Sequence, residues 1–438
     1  MMSTFLLIFG IVSIWFSLII TLVIVFGAVY FLLTNIKPPK NRLEPLSSYP
    51  LITIVVPAHN EEIVIQDTVK AILSMNYPRE KMEILVFADN CDDETYERVH
   101  AIFQQPEYEG YYLTKVIDRR GTGGKAGVLN DSLKIAHGEY LCVYDADAMP
   151  EQNALYFLVE RALENPERYA AVFGRNKTRN YKRNFLTRCI NLEIVTSQRI
   201  IHTGMWQLFK IGQIPGTNFI IQTELIRELG GWDNGALTED TALSFKIMKD
   251  GKLIALASRA EAFQQEPETL SVYYRQRKRW AKGNYEVIVN NMKDIFGASN
   301  WRIRLQSIYY FNTFFWFTSA ILLSNIMFVA NLIAMFLHLW FPSIEVLFSF
   351  GGSNRQIGAL LLVNWALMFS IYLLQVQLAL SSQFGQATTA NFFYAIASYF
   401  TYSLLFIGIS FIALFSYIGD KLFRRDSSKW YKTQRFDD

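Results

Sequence analysis

The sequence predicts an α/β domain set between membrane-spanning helices. Three observations predict it: an uncharged opening stretch, a central region where short β-branched runs alternate with helical periodicity, and two further uncharged stretches toward the carboxyl end. The 438 residues are 51% hydrophobic and only 18% charged, which is too apolar for an ordinary soluble chain and too long for one typical domain. The net charge of +3 is spread thinly and no lysine or arginine block resembles a nucleic-acid tail, so no nucleic-acid partner is expected. Cys91, Cys142 and Cys189 fall in the central region, cannot all pair and lack metal-site spacing, which suits a reducing cytosol.

Met1 to Leu33 carries no charge and exceeds the roughly 20 residues that cross a hydrocarbon core, so residues 1–36 are predicted as a transmembrane helix. A cleaved signal peptide is the competing reading, but the run lacks a basic start and a short apolar core. Lys37, Lys40 and Arg42 follow at once, and the positive-inside tendency then places the amino terminus outside and residues 47–280 in the cytoplasm. Within that domain Leu51 to Val56, Glu83 to Ala88 and Tyr140 to Tyr144 are predicted as buried strands, with Glu62 to Leu73 and Lys125 to Ala136 as crossover helices. Ligands of open α/β sheets lie beyond the carboxyl ends of the strands, where this chain places its polar clusters.

Residues 281–304 are predicted as an interfacial amphipathic helix, because Tyr285, Ile288, Val289, Met292, Ile295 and Phe296 recur at helical spacing; a core helix of the domain fits equally well. Residues 305–419 hold the carboxyl-side spans, one in Leu305 to Ile344 and two in Gln356 to Gly419, divided by Ser381 to Asn391. Three spans would leave the basic tail, residues 420–438 with Lys421, Arg424, Arg425, Lys429, Lys432 and Arg435, outside the cell. A break near Ser324 and Asn325 makes four and returns it to the cytoplasm; both counts stay open. Asn312, Asn325, Asn331, Asn364, Gln375 and Gln377 are amides within these runs, suited to helix-to-helix hydrogen bonds or to a pore wall.

Pro57-Ala-His-Asn-Glu61 and Ala88-Asp89-Asn90-Cys91 end the first two strands; each by itself could be a strand-end turn or a helix cap. Gly121-Thr-Gly-Gly-Lys125 could present backbone amides and a lysine to an anion, although it is not a P-loop. Asp145-Ala-Asp147 follows a strand, and two carboxylates on one side of an extended segment can hold a hard cation. Thr238-Glu239-Asp240 reads either as a helix cap or as a site with a proton-abstracting carboxylate. Gln276-Arg-Lys-Arg279-Trp280 combines guanidinium and indole beside an expected membrane surface.

In this order the clusters resemble the processive family 2 glycosyltransferases, which include cellulose, hyaluronan, chitin and poly-N-acetylglucosamine synthases. Gln276, Arg279 and Trp280 match the family's Gln-x-x-Arg-Trp, Thr238 to Asp240 its Thr-Glu-Asp, and Asp145 with Asp147 its Asp-x-Asp. The resemblance implies a GT-A-type domain with a mixed, mostly parallel sheet, fused to one transmembrane helix before it and three or four after it. It implies that Pro57, Glu61 and Asp89 form the nucleoside pocket, that Lys125 and Arg279 meet the diphosphate, and that Asp145 and Asp147 serve nucleotide and metal, Mg2+ or Mn2+. Asp240, with Glu239 beside it, becomes the catalytic base, while Gly216-Thr217-Asn218, Gln276 and Trp280 hold the acceptor. Two features depart from the pattern: Ala88 to Cys91 stands where many relatives have Asp-Asp-Gly-Ser, and the tail is too short for the cyclic-dinucleotide-sensing domain of some cellulose synthases.

The expected activity is inverting transfer from a UDP-sugar, UDP-GlcNAc or UDP-glucose first, to a growing β-linked exopolysaccharide exported through a multi-pass cell-membrane protein. The alternative is single transfer to a membrane lipid, making a glycolipid. The family layout also allows a small membrane accessory subunit. A transporter or scaffold with an inactive nucleotide-sensing domain is disfavoured by the complete acidic and Gln-x-x-Arg-Trp set.

Overall fold

The structure, a computed structural model, describes residues 2–35, 43–297, 300–319, 329–330, 333–344, 346, 355–423 and 434–436. Lys37, Lys40 and Arg42, the expected break at Ser324 and Asn325, Asn331, and Arg424, Arg425, Lys429 and Lys432 lie outside the described residues.

Eight strands build the central sheet: β1 (Ile52–Ala58), β2 (Met82–Asp89), β3 (Leu113–Arg119), β4 (Tyr140–Val143), β5 (Met149–Pro150), β6 (Tyr169–Thr178), β7 (Phe219–Gln222) and β8 (Leu253–Gln264). Their order is β3-β2-β1-β4-β7-β6-β8-β5. The pairs β1 with β2, β1 with β4, β2 with β3, and β6 with β8 are parallel; β4 with β7, β6 with β7, and β5 with β8 are antiparallel. The sheet is therefore mixed and mostly parallel, as the fold class requires. Every residue of β2 is buried, and the unbroken apolar runs of β1 and β2 reflect strands covered on both faces rather than on one.

Helices α1 (Met2–Thr34), α2 (Ile65–Leu73), α3 (Thr95–Phe103), α4 (Gly124–Leu133) and α5 (Ala154–Leu163) come first. Of these, α2, α3, α4 and α5 pack directly on the sheet. Then follow α6 (Phe185–Thr196), α7 (Thr203–Phe209), α8 (Thr223–Glu228), α9 (Glu239–Lys249), α10 (Leu270–Asn291), α11 (Lys293–Phe296) and α12 (Trp301–Phe311). The last three are α13 (Arg355–Ser381), α14 (Thr389–Phe400) and α15 (Tyr402–Leu422). Two π-helical turns, Ser197–His202 and Asn312–Phe317, join α6 to α7 and extend α12.

Among the described residues three stretches are long and apolar enough to cross a membrane: Ile11–Thr34, Val363–Ser381 and Thr389–Leu422. The last is bent at Thr401, whose φ of −125° and ψ of −71° separate α14 from α15. At 12 residues α14 is about 18 Å long, short of a core about 30 Å thick. Helix α1 ties this layer to the domain by crossing α7 at Gly204, where a Cβ would lie 2.1 Å from the Ile24 carbonyl oxygen and only glycine fits. Asn312 accepts a hydrogen bond of 3.1 Å from Ser17 on α1, the helix-to-helix role open to such amides.

The stripe from Tyr285 to Phe296 is not an element of its own. Tyr285, Ile288 and Val289 lie in the second half of α10, which begins at Leu270 and carries Gln276 to Trp280 in its first half, so the boundary expected after Trp280 falls inside a helix; Met292 joins α10 to α11, which holds Ile295 and Phe296. Tyr285 and Ile288 are buried, Val289, Met292 and Phe296 are exposed, and the side chain of Ile295 lies outside the described ones. The buried positions face partners the linear pattern could not reveal: α15 runs along α10, with Tyr402 against Tyr273 at a ring separation of 5.4 Å and Asp420 paired with Lys282.

Candidate active site

Antiparallel β7 places its amino end beside the carboxyl end of β4, with Phe219 paired to Val143. The loop 216–218 and the segment 144–147 therefore emerge at one edge of the sheet. There, with the ends of β1 and β2 and the starts of α4 and α9, they enclose a cavity of about 580 Å³. All the expected site residues line it except Thr217 and Asn218.

Those two stand behind the wall. Thr217 Oγ1 accepts the Asp145 backbone N–H at 3.0 Å, and Asn218, fully buried at φ 55°, donates from Nδ2 to the carbonyls of Arg175 and Ala260 at 3.0 and 3.1 Å. They brace the Asp-x-Asp segment and the strands β6 and β8, because the left-handed turn at Asn218 aims its amide into the sheet. Gly216 alone of that loop faces the cavity, with φ 87°; a Cβ there would lie 2.5 Å from Asp240 Oδ2.

At one end of the cavity Asp89 is gripped by Arg119, Nη1 to Oδ1 2.6 Å, and the same guanidinium reaches Asp131 from Nε at 2.7 Å. Asn90, where many relatives have glycine, adopts φ 52°, a left-handed conformation that asparagine tolerates better than most residues. Its Nδ2 donates to Asp89 Oδ1 at 3.1 Å, so this departure from the family pattern preserves the turn. Lys125, the second residue of α4, donates to Asp145 Oδ1 at 2.5 Å and to the Gly216 carbonyl at 2.7 Å. Burial by itself would lower its pKa, but Asp145, Glu239 and Asp240 around it raise it.

Asp147 is buried and receives two donors: the Gln265 backbone N–H at 3.2 Å and Arg435 Nη1 at 2.8 Å. Burial raises its pKa and Arg435 opposes the rise. The same guanidinium donates from Nε to Glu61 Oε2 at 3.1 Å. Three acidic side chains, Glu61, Asp145 and Asp147, thus offer oxygen to one region, and a positive group already stands between two of them. An all-oxygen set held about a cation fits Mg2+ or Mn2+. Among the described residues no group of three His, Cys, Asp or Glu is arranged to hold a metal by itself, so substrate oxygens or water would complete the shell.

Glu239 and Asp240 open α9 and line the cavity. Burial pushes Glu239 up to about 7, with Asp240 adding to the rise and Lys125 opposing it; burial also raises Asp240, against Lys125. Thr238 occupies the N-cap position of α9 and the two acids its first turn, as the capping reading expects, but its buried Oγ1 has no hydrogen-bond partner and caps no backbone N–H. On α10, Gln276 Oε1 and Arg279 Nε are likewise buried without partners, and both residues line the cavity. Buried polar atoms are rarely left unpaired, so orphans in a cavity wall point to a polar ligand.

Several residues of the site escaped the sequence reading. Arg277, one of the variable positions of Gln-x-x-Arg-Trp, is buried, pairs with Glu193 at 3.2 Å and lies 4.3 Å from the Trp280 ring centre, holding the indole by a cation–π contact. Arg119 and Arg435 carried no local pattern. The cavity's far end is formed by Gln306, Tyr309, Tyr310, Thr313, Phe314 and Phe406, from α12, its π-helical extension and α15. Both π-helical turns contribute to the wall, a deviation that clusters at functional sites.

Residues 50–283 match the family described as glycosyltransferase like family 2, and residues 217–350 match cellulose synthase. The chain belongs to glycosyltransferase family 2. This family 2 enzyme is 36% identical over 398 residues to the probable glycosyltransferase YdaM of Bacillus subtilis, covering 91% of the chain and 90% of the relative. It is 28% identical over 268 residues to the poly-beta-1,6-N-acetyl-D-glucosamine synthase of Staphylococcus epidermidis, covering 60% of the chain and 63% of that protein. The mannosyltransferase PcManGT of Pyrobaculum calidifontis, solved with GDP-Man and Mn2+, superposes with a TM-score of 0.53 at 17% identity, covering 84% of the chain and 98% of the mannosyltransferase, a likeness of fold.

Proposed function

We propose that this glycosyltransferase moves a sugar from a UDP-sugar to a growing β-linked polysaccharide at the membrane, with inversion. One observation carries the reading: a single cavity is lined by Pro57, Asp89 and Asp145, by Asp240 and Arg279, and by Gln276 and Trp280, and the charges of Asp145, Glu239 and Asp240 act on Arg279. Phe406, from the apolar stretch Thr389–Leu422, lines the same cavity. The relative named for an N-acetylglucosamine polymer favours UDP-GlcNAc over UDP-glucose as donor.

In this reading Asp89 and Pro57 receive the nucleoside, while Gln276 and Trp280 seat the acceptor sugar through a hydrogen bond and a stacking face. Asp240 takes the proton from the attacking hydroxyl as it approaches the anomeric carbon from the face opposite the leaving diphosphate. Arg279 supplies fixed positive charge to that diphosphate, and its buried orphaned Nε is a donor in want of an acceptor. A divalent ion held by Asp147 with Glu61 or Asp145 would neutralise diphosphate charge when bound. Lys125 pairs with Asp145 and ties it to the Gly216 loop.

The tail end bears on topology. Arg435 lines the same cavity as Asp147, which supports a tail segment on the domain's side of the membrane. A domain and a tail on one side need an even number of crossings between them, which four carboxyl-side spans, or the two described stretches Val363–Ser381 and Thr389–Leu422 alone, would supply and three would not.

Incubating the purified, membrane-reconstituted protein with individually labelled UDP-sugars and analysing the product tests the reading. Label in a polymer sensitive to a β-glycosidase supports it. Label that extracts wholly into organic solvent replaces it with single transfer to a lipid, and no transfer from any UDP-sugar refutes it.

A further inference from the structure

We propose that Glu61 and Asp147 form one cation site with two alternative occupants, a divalent metal ion and Arg435 of this same chain, so that the carboxyl-terminal segment competes with the metal. The proposal rests on the glycosyltransferase reading only for the role of the ion in transfer.

The contact is specific. Arg435 reaches Glu61 Oε2 from Nε at 3.1 Å and Asp147 Oδ2 from Nη1 at 2.8 Å, and the three side chains are only 14%, 5% and 6% exposed. A planar guanidinium presents several donors in a fixed fork, and here two of them meet carboxylates that leave the sheet after different strands, β1 and β4. The next residue is fastened independently. Gln265 Nε2 donates to the Phe436 carbonyl at 2.6 Å, and the Phe436 N–H donates to Gln265 Oε1 at 3.0 Å, a reciprocal pair made by one amide. The Gln265 backbone N–H in turn donates to Asp147 Oδ2 at 3.2 Å, so the residue that seats the tail also orients the carboxylate. Asp145, whose Oδ1 pairs with Lys125, adds its negative charge around Arg435.

The two occupants exclude each other. A metal ion bonding both carboxylates, at about 2.0 to 2.1 Å for Mg2+, would stand where the Arg435 guanidinium now bridges Glu61 Oε2 and Asp147 Oδ2. Two positive charges at that separation also repel. Binding of the ion therefore requires the tail to leave. Apparent metal affinity falls in proportion to the fraction of molecules with the tail withdrawn.

The test uses the full-length protein in detergent and reads bound against free Mn2+ by electron paramagnetic resonance, with no donor present. Arg435→Gln is expected to tighten Mn2+ binding about tenfold if the tail is seated roughly nine-tenths of the time. Gln265→Ala, which loosens the tail without changing charge, is expected to shift it in the same direction. Glu61→Gln is expected to weaken binding. Equal or weaker Mn2+ binding in both Arg435→Gln and Gln265→Ala overturns the competition, as does unchanged binding in Glu61→Gln. If transfer persists while those affinities stay unmoved, the competition fails and the glycosyltransferase reading stands. If no variant binds Mn2+ and transfer survives a chelator, the competition fails together with metal dependence.

Discussion

Replacing Asp240 by asparagine removes the proposed base with little change of shape. In the folded protein Asp240 Oδ1 accepts the Thr241 N–H at 3.1 Å, a bond that the asparagine carbonyl can keep, and Oδ2 faces the Gly216 backbone and the cavity. What is lost is the lone pair that would take the acceptor proton, together with one negative charge among Glu239, Lys125, Asp145 and Arg279. Loss of a positioned general base lowers rates about 10² to 10⁴-fold, or about 2.7 to 5.4 kcal/mol of transition-state stabilisation. Because the donor pocket at Asp89, Asp145 and Asp147 is untouched, the effect should fall on kcat. Radiolabelled transfer at saturating donor measures kcat, and nucleotide binding by calorimetry should stay within a few-fold of the parent. Asp240→Asn turning over within threefold of the parent would refute the assignment, and equal loss of nucleotide binding would show that the substitution had damaged the donor site instead.

Two further outcomes follow from the same geometry. A carboxylate base works ionised, and burial raises Asp240 above its ordinary value, so transfer should be lost on acidification at a higher pH than an unperturbed aspartate would allow. A profile of kcat flat down to about pH 5, as an unperturbed carboxylate would allow, contradicts this. Gly216→Ala places a Cβ 2.5 Å from Asp240 Oδ2 at a φ of 87°, where a side chain costs about 1 to 2 kcal/mol. It should lower kcat at least tenfold and the unfolding midpoint by a few degrees; parental kinetics would show that the loop does not press on the base.

Much of the site was legible because its chemistry is written in short segments at the ends of elements. Asp145 and Asp147 lie two apart after a buried strand, and Glu239 and Asp240 open a helix, so local pattern sufficed to mark them. Thr217 and Asn218 were misplaced for a reason equally local. A positive φ at Asn218 rotates the side chain away from the cavity, and nothing in Gly-Thr-Asn states which of three consecutive residues will face the ligand. Arg435 was read only as one more charge in a basic tail, since its partners Glu61 and Asp147 are remote in sequence and a guanidinium's meaning depends on what it touches.

The sequence by itself determined the class of this protein: apolar runs that can cross a membrane, strands buried on both faces, and an ordered set of acidic and Gln-x-x-Arg-Trp clusters that belong to one family. Tertiary structure alone decided how those clusters meet. The antiparallel entry of β7 beside β4 brings Gly216 to Asp145, α10 uses one continuous helix for both the cavity wall and the contact with α15, and the chain end returns to the sheet edge. Periodicity and composition are properties of neighbours along the chain, whereas strand direction, helix partners and the destination of a tail follow from packing between segments far apart, which no local pattern encodes.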